Sequence, residues 1–118
     1  MDILEEIVAH KRVEVERLKE QLSEREIHSR VEALMATPEG SLVPSMKKAI
    51  KESSTGIISE FKRKSPSKGW IKEEGKAGVI PLSYQQNGAS AISILTDYEY
   101  FGGKDEFIVE ARKSGVTI

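Results

Sequence analysis

Two short apolar runs, Ile57 to Phe61 and Ala91 to Leu95, constrain this chain more than any other feature. Both are rich in β-branched or aromatic residues. Ser65-Pro66-Ser67-Lys68-Gly69 follows the first, and Phe101-Gly102-Gly103 follows the second. Such runs, ended by Ser/Pro/Gly clusters, read as buried strands feeding loops. Helical segments separate them. One ends near Asn87-Gly88, and the next is capped by Asp105 and runs to about Lys113, closed by Ser114-Gly115. Val116-Thr117-Ile118 reads as the start of a third strand. The order strand, helix, strand, helix, strand implies parallel strands joined by right-handed crossovers, hence an α/β fold. Two or three parallel strands cannot cover both faces of their sheet. The chain therefore reads as a piece of a larger α/β architecture.

The connections carry further information. Residues 62–74 read as a loop, long enough to lean toward function. Trp70 is expected to pack beneath it, and Lys68 lies within it. The helix before Asn87 contains Pro81, which is tolerated only in a first turn, so this helix is expected to begin near Gly78 or Val79. Tyr98 to Lys104 reads as a second loop. Upstream, Asp2 to about Leu22 is an amphipathic helix with Ile3, Leu4, Ile7, Val8, Val15, Leu18 and Leu22 at helical spacings. Asp2 with Glu5, and Ser23 with Glu26, resemble capping boxes. The second opens a short helix carrying Ile27, Val31, Leu34 and Met35, ended by Thr37-Pro38-Glu39-Gly40. Another helical turn or two is expected over Ser45 to Ile50. The chain thus divides into a helical segment, 1–54, and a strand–helix segment, 55–118.

Charge is balanced, with 18 basic and 19 acidic residues. No long-range field toward nucleic acid or an anionic membrane is implied, so any phosphate affinity is local. The absence of cysteine removes thiol chemistry and disulfides and fits a cytoplasmic protein. No run approaches the ~18 apolar residues of a membrane span, and the N-terminus lacks a signal-peptide plan.

Glu60 and Lys62 are two apart on the first strand, so both side chains share a face. They lie at the strand's carboxyl end, where α/β proteins bind ligands. On residues alone the blander reading, a solvated ion pair at a strand rim, outweighs a site. Ser65-Pro66-Ser67 supplies a hydroxyl and loop amides that can receive a phosphate or carboxylate oxygen, with Pro66 fixing the turn. Arg63 and Lys64 read as a solvated face. His10 and His28 read as exposed helix residues without an acidic or histidine partner at metal spacing, so no metal is expected. There is no dinucleotide or P-loop motif, and no cofactor is expected.

EFKRKSPSKG, with NGASAISILTDYEYFGG over Asn87 to Gly103, resembles the segments around the first two barrel strands of the indole-3-glycerol-phosphate synthase family. The resemblance covers essentially the whole chain but less than half of that family's barrel. It implies the N-terminal fragment of a TIM (β/α)8 barrel, whose full form needs eight units and ~250 residues. It also implies a helical extension packed over the active-site end. The family closes the indole ring of 1-(2-carboxyphenylamino)-1-deoxyribulose 5-phosphate, losing carbon dioxide and water in tryptophan biosynthesis. By the resemblance Glu60 and Lys62 belong to the active site, and Ser65 and Pro66 grip substrate. Leu95 lines the pocket, and Phe101 walls the anthranilate ring. Pro81 departs from the family pattern. The family's strand-3 lysine falls past Ile118, and its later catalytic groups and main phosphate cradle are absent. The chain alone is therefore expected to be inert, its parent being the lyase. A partial barrel that self-associates through its open sheet, or binds a phosphorylated ligand without turnover, is the rival reading. The neighbouring phosphoribosylanthranilate isomerase would want a cysteine-type base, which is missing.

Overall fold

A computed structural model describes residues 2–118. It divides into two compact units, Met1–Val43 and Pro44–Ile118.

The first unit is helical. Helix α1 spans Ile3–Gln21 and α2 spans Glu24–Met35. Asp2 caps α1 through a reciprocal box, accepting from the Glu5 amide at 2.8 Å while its own amide donates to Glu5 at 3.0 Å. Two orphan amides of the first turn are satisfied this way. Ser23 accepts from the Glu26 amide at 3.2 Å and starts α2. Pro38–Leu42 forms a 3-10 turn against α2. Lys19 lies 3.1 Å from Glu24, and the hydrogen bond to that carboxylate, with its charge, raises the amine's pKa above 10.5. His10 and His28 each meet a glutamate one turn on, Glu14 and Glu32, both at 3.7 Å. This corrects the expectation that neither has an acidic partner at metal spacing, since i,i+4 places both groups on one helix face. His10 is half-buried rather than exposed.

The second unit carries the strands. Helix α3 spans Met46–Glu52, β1 Ile58–Phe61, β2 Lys64–Ser65 and β3 Gly69–Trp70. Helix α4 spans Ile80–Gln86, β4 Ala91–Ile94, α5 Tyr98–Phe101 and α6 Glu106–Lys113. β1 and β4 pair in parallel, with Ile58 opposite Ala91, Glu60 opposite Ser93 and Phe61 opposite Ile94. The expected crossover through α4 is therefore present. Pro81 sits in the first turn of α4, where its missing N–H is no loss.

The alternation of β1 and β4 decides which face is buried. Ser59 and Phe61 are opposite Ile92 and Ile94, and this side packs on helices. Phe61 and Phe107 of α6 are 3% and 7% exposed and meet edge to face, ring centres 5.8 Å apart at 73°. Burying each such ring is worth about 1.5–3 kcal/mol, so this pair docks α6 on the sheet. Ile92, Ala89, Ala111 and Val116 make the adjoining cluster, with Leu82 and Ile118 against it.

Several expectations change. The 62–74 loop contains a small antiparallel hairpin, β2 with β3, pairing Lys64 with Trp70 and Ser65 with Gly69. Tyr98 to Phe101 is a helical turn, because Asp97 accepts from the Tyr100 amide at 2.9 Å and Gly102, at φ +61°, closes it. Asp105 makes no side-chain cap on α6; its own backbone is already helical, which turns the carboxylate away from the first-turn amides. Val116–Ile118 does run beside β4 as the start of a strand was expected to, without forming a strand element of its own. One ladder bond, from the Ile92 amide to the Thr117 carbonyl at 2.8 Å, sets it beside β4, and the Thr117 amide donates to the Gln85 side chain at 2.9 Å. Among the described residues no helix is long and apolar enough to cross a membrane.

Candidate active site at the strand carboxyl ends

Parallel pairing sends β1 and β4 out of the sheet at the same end. The loops that begin at Lys62 and at Leu95 therefore leave side by side. The face opposite the helix-packed one carries Ile58 and Glu60 on β1 and Ala91 and Ser93 on β4. Continuing the alternation puts Lys62 and Leu95 on that same face.

Glu60 and Lys62 do meet, as their spacing predicts. Lys62 Nζ lies 3.9 Å from Glu60 Oε1, with both side chains partly open to solvent. At this separation the pair is ionic contact rather than a tight hydrogen bond. The Lys62 amine is thus open to an incoming anion. The other oxygen, Glu60 Oε2, accepts from the Ser93 hydroxyl at 3.2 Å. Sequence reasoning missed Ser93. Its parity within Ala91–Ile94 put it on the correct face, but only the inter-strand register places it opposite Glu60.

Ser65 is 8% exposed. Its Oγ accepts from the Lys68 amide at 3.1 Å and lies 3.5 Å from Ser67 Oγ. The turn that Pro66 begins is thus closed by the serine itself. Pro66 stands exposed. Leu95 is half-buried. Phe101 is half-buried at the end of α5, which packs against β2.

Arg63 is not a solvated charge. Its Nε and Nη2 donate to the Gly102 carbonyl at 3.2 and 2.9 Å, and Nη1 donates to the Glu73 carbonyl at 2.8 Å. The guanidinium lies over the rings of Trp70 and Phe107, 5.4 and 4.8 Å from their centres. One side chain thereby ties the hairpin loop to the loop carrying Phe101, using its planar fork and its stacking faces together. No sequence signal announces acceptors 39 residues away. Trp70 is correspondingly not beneath the loop. It is 44% exposed, lying beside Arg63 and with the Lys64 amine 5.4 Å from its ring centre. Gly103 lies so close to the segment leaving β4 that a Cβ there would overlap the Leu95 carbonyl oxygen and sit 2.7 Å from the carbonyl carbons of Leu95 and Thr96.

The arrangement joins a carboxylate and its paired amine, one buried hydroxyl turn and two apolar side chains on adjoining loops. It can hold an anion at Lys62 and orient that amine through Glu60. Comparison with known proteins identifies the family. A family model described as indole-3-glycerol phosphate synthase matches residues 4–117. The indole-3-glycerol phosphate synthase of Bacteroides thetaiotaomicron is 47% identical over 111 residues, covering 94% of this chain and 40% of the relative. That of Aliarcobacter butzleri is 38% identical over 115 residues, covering 98% and 43%. That of Thermoanaerobacter pseudethanolicus is 38% identical over 111 residues, covering 94% and 40%. The chain thus spans about two-fifths of the length of these curated relatives. With its parallel βα units and a family match running almost end to end, the chain belongs to the indole-3-glycerol phosphate synthase family.

Proposed function

We propose that these residues form one side of the active site of a cytoplasmic indole-3-glycerol-phosphate synthase, and that turnover needs the remaining barrel. The observation that carries this is the Glu60–Lys62 pair at 3.9 Å on the open face of β1, within a chain of that family. The substrate is 1-(2-carboxyphenylamino)-1-deoxyribulose 5-phosphate. The ring carbon bearing the carboxylate attacks the ketone carbon, and the ketone oxygen takes a proton. The carboxylate then leaves as carbon dioxide, its bonding pair returning to the ring. Loss of the new hydroxyl as water, with a proton, completes the indole.

Lys62 suits two moments in this sequence. Its ammonium can hold the benzoate carboxylate, or donate toward the ketone oxygen as negative charge develops there. Glu60 keeps that amine aimed. Ser65 offers its hydroxyl to an oxyanion, Pro66 fixes its turn, and Leu95 and Phe101 give the aromatic ring an apolar wall. The substrate's phosphate needs a cradle from barrel units outside these residues. The test is substitution in a barrel completed with the remainder of a relative. Lys62→Met should cut kcat/KM by ~10²-fold or more, and an undiminished rate would remove Lys62 from the chemistry.

A second reading, self-association of the chain, is favoured by one observation. The parallel sheet has only β1 and β4 among the described residues, and Ile58 on β1 and Ile57 just before it are 50% and 54% exposed. Such an edge offers unpaired backbone groups to another chain.

A further inference from the structure

The Ser93 hydroxyl meets Glu60 across the sheet, and nothing in the functional reading above uses it. A serine and a glutamate on a surface often touch without consequence, so the geometry has to decide. Three features set this pair apart. First, register makes Glu60 and Ser93 direct partners on parallel strands, and the opposite face locks that register. Phe61, Ile92 and Ile94 there sit in the packed core, so the pair cannot slip without turning those side chains out. Second, the carboxylate's two oxygens are divided. Oε2 accepts from Ser93 at 3.2 Å, and Oε1 faces Lys62 Nζ at 3.9 Å. Third, the neighbouring cation cannot compete for the carboxylate. Arg63 donates instead to the Gly102 and Glu73 carbonyls.

We infer that Ser93 is a positioning residue: by holding Oε2 it fixes the carboxylate rotation that keeps Oε1 toward Lys62. A glutamate has three rotatable side-chain torsions, and the last is broad. Without a donor on Oε2, the carboxylate is free to swing into solvent and leave the Lys62 amine unaimed. A serine is suited to this work. Its side chain is short, it stands on a paired strand, and its one proton can be given to the carboxylate.

This inference rests on Glu60 and Lys62 acting in the proposed reaction. It is tested in a full-length barrel that begins with these 118 residues, by comparing Ser93→Ala and Ser93→Thr with the unsubstituted protein. Ser93→Ala should lower kcat roughly tenfold or more, the size of a hydrogen bond to a charged group, with KM within about threefold. Ser93→Thr keeps the hydroxyl and should restore kcat to within about threefold. The inference is overturned if Ser93→Ala retains full kcat, if the loss appears only in KM, or if Ser93→Thr falls as far as Ser93→Ala. A silent unsubstituted barrel sinks the functional reading and this one with it, and is told apart because the defect then precedes any change at Ser93.

Discussion

Replacing Arg63 with alanine gives the sharpest quantitative expectation. The guanidinium donates to two carbonyl oxygens and lies over two rings. Each charged hydrogen bond is worth about 1.5 kcal/mol at the low end of its range. Each stacked ring adds about 0.5–1 kcal/mol. The gross sum is about 4–5 kcal/mol. Ordering the long side chain takes back roughly 2 kcal/mol, leaving about 2–3 kcal/mol. That energy holds the hairpin loop against the Gly102 loop, so the loss should be local. The Ile71 and Lys72 amides donate to the Arg63 carbonyl at 2.8 and 3.0 Å. This carbonyl survives the substitution, which makes the two amides reporters of loop opening. At about 1.4 kcal/mol per tenfold, their hydrogen exchange should accelerate roughly 30- to 150-fold. The Ile92 amide in β4 should stay unchanged. Arg63→Lys keeps the charge but loses the fork, and should lie between. If Ile71 and Lys72 exchange within threefold of the unsubstituted rate, the clamp does not exist. If Ile92 accelerates equally, the effect is global and the local account fails.

Two further expectations concern packing. Gly103→Ala forces a methyl into the Leu95 backbone; at about 2 kcal/mol for overpacking the melting temperature should fall by roughly 10 °C, and an unchanged melting curve would refute the contact. Self-association through the edge of β1 predicts a sedimentation coefficient that rises with protein concentration, whereas a single monomer boundary at every concentration would dismiss it.

The framework of the second unit was legible because short apolar runs rich in β-branched and aromatic residues, bounded by Ser/Pro/Gly clusters, are a strong strand signal. Ile57 to Phe61 and Ala91 to Leu95 could hardly be anything else, and Asn87-Gly88 marked the end of α4. The proximity of Glu60 and Lys62 followed from a two-residue period. The hairpin of β2 and β3 was not legible, since strands of two residues carry no period. Helix α5 could have been found. Asp97 at its start and Gly102 just past its end are ordinary cap residues, but Phe101-Gly102-Gly103 invites a loop reading. Arg63 was misread because a run of cations looks solvated until its acceptors are known, and one of these, the Gly102 carbonyl, comes from a loop distant in sequence. Ser93 needed the register between strands, which core packing sets and sequence order does not reveal.

The central claim is that this chain holds one side of a synthase active site whose completion lies in the rest of the barrel. The direct measurement is formation of indole-3-glycerol phosphate from 1-(2-carboxyphenylamino)-1-deoxyribulose 5-phosphate by these residues alone, and by the same residues joined to the remaining barrel segment of a relative. The account predicts no turnover alone, and turnover in the completed barrel that falls ~10²-fold or more with Lys62→Met. Turnover by the chain alone, or a completed and folded barrel without activity, would contradict it.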